Sequence, residues 1–414
     1  MSACALDTLG TVPATRWAQD ERVAAMAARA PAMQYGGFLQ SAELFDHQVF
    51  GISPAEAGVM DPQQRLVLEH GLQALHGAGA SKGELMGSLT GVFVGVWACE
   101  YSEVLRESPA GRSVYAATAA TCSALVGRVS FVLGLHGPCV SYDTACSAGL
   151  VACHSGMRAL QHAECSSGLV MGVNMIFSPS ACAGVALAGM TSPTGRSHTF
   201  DARADGYARG EACGGVALAL PAHEAAAAAG VAGCAVRQDG RSASLTAPSG
   251  QAQQGLLRAA LADGGCTAEA VAMAEAHGTG TALGDPIEVG ALAAAVVGER
   301  GLACGAVGVG GVKASIGHAE PAAGLTGLVR LALGLERRRA GANAQLRLLN
   351  PHVGGALRGL RCGLGVQLGG AEQSGGGVWG GVSSFGYAGT IAHAVVQSPR
   401  VGDATAAAVL SGTA

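Results

Sequence analysis

Val140-Ser-Tyr-Asp-Thr-Ala-Cys-Ser-Ala-Gly-Leu150 is the stretch on which the reading of this chain turns. The apolar run from Cys139 to Tyr142 has the character of a strand end. Asp143 and Thr144 offer capping side chains, and from Ala145 small and apolar residues run on at helical spacing to Leu160. This predicts a strand that turns sharply into a helix, with Cys146 over the first turn. Unpaired N–H groups and the positive dipole end of a helix stabilise a thiolate, so Cys146 is expected to be more acidic than a free cysteine. Ala145, Ser147, Ala148 and Gly149 leave the space around it open. A small buried cysteine is the commoner fate of this residue type, so a nucleophile needs a partner base elsewhere in the chain.

Composition narrows the class. A chain of 414 residues, 49% hydrophobic and 13% charged, can bury a large core in one or two domains. The net charge of −4, without a basic cluster, argues against a nucleic-acid surface. The 65 glycines show no G-X-Y period and no Ser/Pro-rich tract, so they read as compositional drift in a folded enzyme. Lys82 and Lys313 are the sole lysines, which draws attention to each. The 13 cysteines, an odd number, form no C-x-x-C pair and no zinc-ligand spacing, so no metal is expected. MSACALDTLGTVPATRW lacks a basic segment followed by a long apolar core, and no uninterrupted apolar run reaches transmembrane length. The expectation is a reduced, soluble, cytoplasmic protein without a membrane partner.

Along the chain, residues 1–60 read as irregular, with turns at Gly36-Gly37 and Ser53-Pro54. A helix follows to Leu75, capped by Asp61, started by Pro62, and carrying Leu68, Leu72 and Leu75 on one face. Strands are expected at 91–97, 168–173, 216–220, 231–237, 271–275, 378–382 and 391–397. Helices are expected near 222–229, 252–262, 285–297 and 320–339. The polar, glycine-studded stretch 195–215 reads as a long functional loop. Strands alternating with helices imply an α/β fold with covered sheets. The last twenty residues or so are rich in Ala, Ser, Thr and Gly and are expected to fray.

Two histidine stretches supply the missing chemistry. EAHGTGTALGDPIE at 275–288 puts His277 just past a strand, in a loop of small residues leading to a Pro-started helix. GGVKASIGHAEPAAG at 310–324 does the same for His318, with Lys313 five residues earlier. For either histidine alone a structural role would be favoured. Two such loops and a strand-turn cysteine could converge at strand ends, which favours a catalytic site. The other ten histidines are read as structural or surface groups.

DTACSAGL at 143–150, EAHGTGTALGDPIE at 275–288, VKASIGHAEPAAG at 312–324 and GVSSFGYAGTIAH at 381–393 together resemble the β-ketoacyl synthase (ketosynthase) domains of modular type I polyketide synthases. GISPAEAGVMDPQQRLVLE at 51–69, GRSHTFDARADGYARGEACG at 195–214 and RQDGRSASLTAP at 237–248 extend the resemblance, in order, from about Val12 to about Val396. It implies a thiolase-like fold, five-layered α-β-α-β-α, and normally a homodimer. On that reading residues 1–220 form a first half carrying Cys146, and residues 221–398 a second half carrying His277 and His318. Residues 399–414 are read as a disordered tail.

The resemblance also implies roles. Cys146 accepts an acyl chain from an acyl carrier protein. Malonyl on the carrier's phosphopantetheine loses CO2, and the enolate attacks the Cys-bound thioester. No cofactor is bound directly; phosphopantetheine arrives on the carrier, and the acyltransferase and other synthase domains are further partners. His277 and His318 assist decarboxylation and hold the enolate oxygen. The N–H groups of Cys146 and Tyr387 form the oxyanion hole, and Lys313 supports the His318 loop. Thr279 and Thr281 match positions that hold the pantetheine arm, although turn-stabilising hydroxyls explain their spacing equally well. Ala388 and Gly389 stand in the matching gate, at the substrate. Asp285 and Glu288 read as capping the following helix.

Departures accompany the match. The family usually opens with an apolar strand I-A-I-x-G, expected to be a core strand of the first half, whereas this chain reads VPATRW where that strand has passed. Its loss is expected to expose two unpaired edges. Ala148 stands for a serine, Ala314 and Ser315 for serine and asparagine, and the gate carries Ala388 and Ile391 for glycine and asparagine. Ala388 is expected to restrict the turn, and Ile391 to lose a hydrogen bond. Three functions compete: a condensing ketosynthase, a chain-initiating malonyl decarboxylase of the same fold, and a catalytically impaired dimerisation or docking scaffold. The decarboxylase typically carries glutamine at the cysteine position, so Cys146 opposes it. The intact Cys146, His277 and His318 oppose the scaffold.

Overall fold

A computed structural model describes residues 6–18, 20–97, 100–220, 228–301, 304–365, 369–370, 377–398 and 408–409. In chain order the elements that build the core begin with α1 (Glu21–Arg29), α2 (Pro62–Gly77), β1 (Thr90–Gly95), α3 (Cys122–Leu133), β2 (Cys139–Tyr142), α4 (Ala148–Gln161), β3 (Ser167–Asn174) and β4 (Ala212–Leu218). They continue with β5 (Gly230–Gln238), α5 (Gly250–Asp263), β6 (Val271–Glu275), α6 (Gly284–Leu292), β7 (Val307–Gly310), α7 (Ala323–Glu336), β8 (Cys362–Leu364), β9 (Trp379–Phe385), β10 (Thr390–Gln397) and β11 (Ala408–Val409).

The strands form two large sheets, ordered β11-β4-β3-β1-β2 and β8-β7-β6-β9-β10-β5. In the first, β1 is parallel to β2 and β3, while β4 runs antiparallel to β3. In the second, β6 is parallel to β7 and β9, while β10 runs antiparallel to both β9 and β5. Strand β2 of the first half therefore matches β7 of the second, and each leads into a helix of the middle layer, α4 or α7. These two helices lie between the sheets, with Leu150, Ala152, Leu325 and Leu328 in the central apolar cluster. Helices α2 and α3 cover the outer face of the first sheet, and α5 and α6 that of the second, giving five layers.

Local chemistry explains the pieces. Asp61 caps α2, its Oδ1 accepting from Gln63 N at 2.8 Å, and Pro62 occupies the first turn. Leu68, Leu72 and Leu75 are buried as one face beneath β3 and β4. The helix α1, which lies in the stretch read as irregular, is capped by Asp20 and buries Val23 and Ala27. Its spacing of Val23, Met26 and Ala27 was the available signal. The helix read at 285–297 starts at Gly284 and ends as a π-helical turn over Ala293–Val297. Most of the helix expected at 222–229, and most of the tail, lie outside the described residues.

The second half corrects the expectation that a leading strand of the first half is central. Its own leading strand, β5, sits at the sheet edge and, among the described residues, pairs with β10 alone. The matching place in the first half is beside β4, where β11 runs antiparallel to Ala217 and Leu218. A strand there has one neighbour, so only one ladder of backbone groups depends on it. Among the described residues, no helix is long and apolar enough to cross a membrane.

Candidate active site

The nucleophile turn is tighter than the sequence suggests. Helix α4 begins at Ala148, two residues past Cys146, and its N-cap Ser147 makes no side-chain cap hydrogen bond. The Asp143 carboxylate instead accepts from Ala145 N at 3.2 Å, and the Ser147 hydroxyl donates to Thr144 O at 2.9 Å. Ala145 has φ 53°, a left-handed conformation that costs a residue with a Cβ about 1–2 kcal/mol. From the second half, the Ser384 hydroxyl donates to Cys146 O at 2.6 Å. The turn is thus held from both halves.

The two middle-layer helices meet at their N-terminal ends. A Cβ on Gly149 would stand 2.9 Å from Pro321 O, and one on Gly324 would stand 2.7 Å from Leu150 Cγ. Glycine at both places lets the helix ends approach, and that approach brings His318 Nε2 to 3.0 Å from Cys146 Sγ. The backbone of His318 is clamped by residues 208–210: its N–H donates to Ala208 O at 2.7 Å, and its carbonyl accepts from Gly210 N at 2.8 Å. Tyr207 packs edge-on against the imidazole, ring centroids 5.0 Å apart. Burial first, then the charges of Lys313 and Arg209, hold His318 well below the usual histidine range, so the ring is neutral. Its Nδ1 accepts from Glu320 N at 3.2 Å, which assigns the ring proton to Nε2. His318 therefore donates to the sulfur.

His277 follows β6, and its ring lies perpendicular to that of His318, centroids 5.4 Å apart. Burial, then Lys313 and His318, keep it neutral too. Its buried Nδ1 has no partner within the described structure, an orphan polar atom in the site. The loop is pinned by Glu288, whose carboxylate accepts from His277 N at 2.6 Å and Gly278 N at 2.7 Å. Asp285 accepts from Gly280 N at 3.0 Å and Phe200 N at 2.7 Å. The expectation that these two carboxylates serve mainly to cap the next helix is corrected: they hold the histidine loop. Burial pushes Glu288 up to about 7 and Asp285 up to about 6.

Lys313 is buried beside this cluster, its proton affinity lowered by burial and supported by Glu275, Glu288, Cys146 and Asp285. The N–H groups of Tyr387 and of Cys146 itself both act on the sulfur, where an oxyanion hole needs donors. The expected acidity of Cys146 is not what the folded chain gives. Burial, followed by the Glu320 carboxylate, pushes the thiol up to about 12, against the pull of Lys313 and the two N–H groups. The physical reason is the dry site, together with a helix that starts two residues later than the sequence implies.

At the periphery, the hydroxyls of Thr279 and Thr281 lie 3.3 Å apart, and Thr281 accepts from Gly284 N at 3.1 Å, so Thr281 stabilises the turn. The gate turn between β9 and β10 takes its positive φ, 90°, at Gly389, and Ala388 is not among the left-handed residues. Ala388 thus does not strain the gate as expected; its carbonyl accepts from Gln238 Nε2 at 2.9 Å. Ile391 is fully buried against Leu256 and Phe385, so apolar packing takes the place of the hydrogen bond whose loss was expected there. Three contributors escaped the sequence reading. Ser384, Arg209 and Glu320 all lie inside motifs quoted above, but nothing local says that they reach Cys146 or His318.

Comparison with known proteins agrees with this geometry. Residues 5–223 match the family model for the N-terminal domain of β-ketoacyl synthase, and residues 228–347 that for its C-terminal domain. The chain is 40% identical over 407 residues to the spectinabilin polyketide synthase system protein NorC of Streptomyces orinoci, covering 95% of this chain and 18% of that protein. It is 39% identical over 398 residues to a phenolphthiocerol/phthiocerol polyketide synthase of Mycobacterium tuberculosis, covering 94% and 25%. The chain thus spans about a quarter or less of these relatives. Among solved structures, the ketosynthase from module 6 of the bacillaene synthase of Bacillus subtilis 168 superposes with TM-score 0.85 at 30% identity, over 96% of this chain and 68% of that one. An oxazolomycin ketosynthase domain from Streptomyces albus JA3453 gives 0.86 at 31%, over 95% and 70%. With both family domains matched in order and the fold shared at this level, the chain belongs to the β-ketoacyl synthase family, as a ketosynthase domain of the polyketide synthase type.

Proposed function

We propose that this domain extends an acyl chain by decarboxylative condensation, with Cys146 as nucleophile and His277 and His318 as donors. The observation that carries the reading is the 3.0 Å contact between His318 Nε2 and Cys146 Sγ, with the His277 ring beside it and the Tyr387 N–H at the same sulfur. In the first half-reaction the Cys146 sulfur attacks the carbonyl of an acyl thioester on a carrier protein. The carrier's C–S bond breaks, and the carrier sulfur leaves with the thiol proton. With its Nε2 protonated, His318 is a donor and not the acceptor of that proton. In the second, the C–CO2 bond of a malonyl thioester breaks, and its electron pair forms an enolate whose oxygen is held by the histidine donors. The enolate carbon attacks the acyl carbonyl on Cys146, and the oxyanion faces the N–H groups of Cys146 and Tyr387. Collapse breaks the C–S bond to Cys146, whose thiolate takes up a proton from water to restore the thiol, and leaves a β-ketoacyl chain on the carrier.

The partners are a carrier protein bearing phosphopantetheine, with Thr279 and the gate residues Ala388 and Gly389 along the arm's path, and a second copy of the chain. Strand β2 ends its sheet among the described residues, with Cys139 and Val140 exposed, an edge open to pairing with its own copy. The test separates the half-reactions by intact mass and CO2 release. Cys146→Ala should abolish self-acylation and keep part of the malonyl decarboxylation. The double variant His277→Ala, His318→Ala should lose decarboxylation; unchanged CO2 release there removes the histidines from the role.

A further inference from the structure

Beside His318 lies a buried ion pair, Arg209 and Glu320, to which the condensation chemistry above gives no role. Arg209 is 4% exposed and Glu320 is 1% exposed. The guanidinium grips the carboxylate with two prongs, Nε to Oε1 at 2.6 Å and Nη2 to Oε2 at 2.8 Å, across 111 residues of sequence. Two further donors are used as well: Nη2 reaches Glu100 Oε1 at 2.7 Å, and Nη1 reaches Cys182 Sγ at 3.0 Å. A buried ion pair is a poor device for stability, since apolar residues of similar volume often serve as well or better. The pair's geometry points to another use.

We propose that Arg209 and Glu320 are positioning residues that fix His318 as a donor towards Cys146, by aiming the Glu320 N–H at His318 Nδ1. The proposal rests on the condensing role assigned above. Glu320 has φ 47°, a left-handed value that a non-glycine residue keeps only where its surroundings impose it. This angle relates the peptide N–H of residue 320 to its own side chain. Fixing the carboxylate in the plane of a guanidinium fork therefore fixes the direction of the N–H. That N–H meets Nδ1 at 3.2 Å and reserves Nε2 for the proton that faces the sulfur. Arg209 holds the other end of the same unit, because its own backbone forms a parallel bridge with His318. One residue thereby sets the main chain of His318 and, through Glu320, its tautomer. Without the fork, residue 320 is free to leave the left-handed region. The ring could then carry its proton on Nδ1 and present a lone pair to the sulfur.

The test begins with the wild-type protein, labelled with 15N-histidine, with the His318 signals identified by their absence in His318→Ala. An unprotonated Nδ1 and a protonated Nε2 are expected; a proton on Nδ1 overturns the proposal. The double variant Arg209→Met, Glu320→Gln removes the pair and leaves Glu100 to the Phe177 and Ser178 N–H groups that it accepts from, and its fold is checked by circular dichroism. It should show a mixture of the two tautomers, with kcat for malonyl decarboxylation down about tenfold or more and KM within about threefold. A folded double variant with only the Nε2–H form overturns the proposal. If the double variant does not fold, Arg209→Lys keeps the charge, loses the fork and is read the same way. A wild-type protein with the expected tautomer but no decarboxylation overturns the condensing assignment, while the positioning role stands.

Discussion

Gly386→Ala tests how tightly the second half holds the nucleophile turn. Gly386 sits where β9 enters the gate, and a Cβ built on it would stand 2.5 Å from Thr144 O, 3.0 Å from Thr390 O and 3.3 Å from Ser147 Oγ. The nearest of these is backbone, which cannot swing aside as a side chain can. Ordinary contact begins at 3.4 Å, so the gate and the nucleophile turn must separate by about 0.9 Å. Overpacking of that kind costs about 1–3 kcal/mol. The displacement also falls on the segment that carries Cys146, whose carbonyl is tied to Ser384 and whose sulfur is 3.0 Å from His318 Nε2. It moves the Tyr387 N–H, next in the chain, relative to the sulfur. A misplacement near 1 Å costs a reaction about 10²-fold. Acylation of Cys146 by a short acyl thioester, followed by intact mass, should therefore slow by about that factor in Gly386→Ala. The variant's melting temperature should fall by only a few degrees, as about 1–3 kcal/mol implies for a chain this size. Acylation at the wild-type rate would refute the claim that this contact sets the position of the sulfur.

Glu288 is raised from its ordinary 4.5 to about 7 by burial, so its contribution to stability is fully present below the unfolded value and lost as pH rises through 7. The fall in unfolding free energy from pH 5 to pH 8, from urea melts, should be smaller in Glu288→Gln by about 2–3 kcal/mol; equal slopes would contradict this. The Lys313 charge pulls the Cys146 thiol down against burial, so Lys313→Met should slow its alkylation by iodoacetamide at pH 8 about threefold or more. Partly exposed Cys304, mapped in the same digest and away from the β2 edge, serves as the reference and should label as before. Ile391→Asn would bury an amide among Leu256 and Phe385 and should destabilise by about 2–4 kcal/mol in denaturant melts; an unchanged midpoint would mean that the amide finds partners there.

Much of this protein was legible before any coordinates. Strand–turn–helix signals are written among neighbouring residues, so β2 with Cys146 and β6 with His277 could be read where they stand, whereas Val307–Gly310 was not singled out as a strand. The cap at Asp61, the buried face of α2 and the span of β6 follow from the same local rules of spacing and capping. Tertiary structure alone decided what those turns do together. Cys146 and His318 are 172 residues apart, and their contact depends on two glycines that let helix ends approach. The Arg209–Glu320 fork joins two motifs with no local mark of their pairing. The place of a leading strand beside β4 was a matter of sheet order, which strand patterns do not encode. The acidity of Cys146 reversed for a related reason. A helix end is a local feature and favours the thiolate, whereas the exclusion of water is a property of the whole closed site, and here burial outweighs the helix.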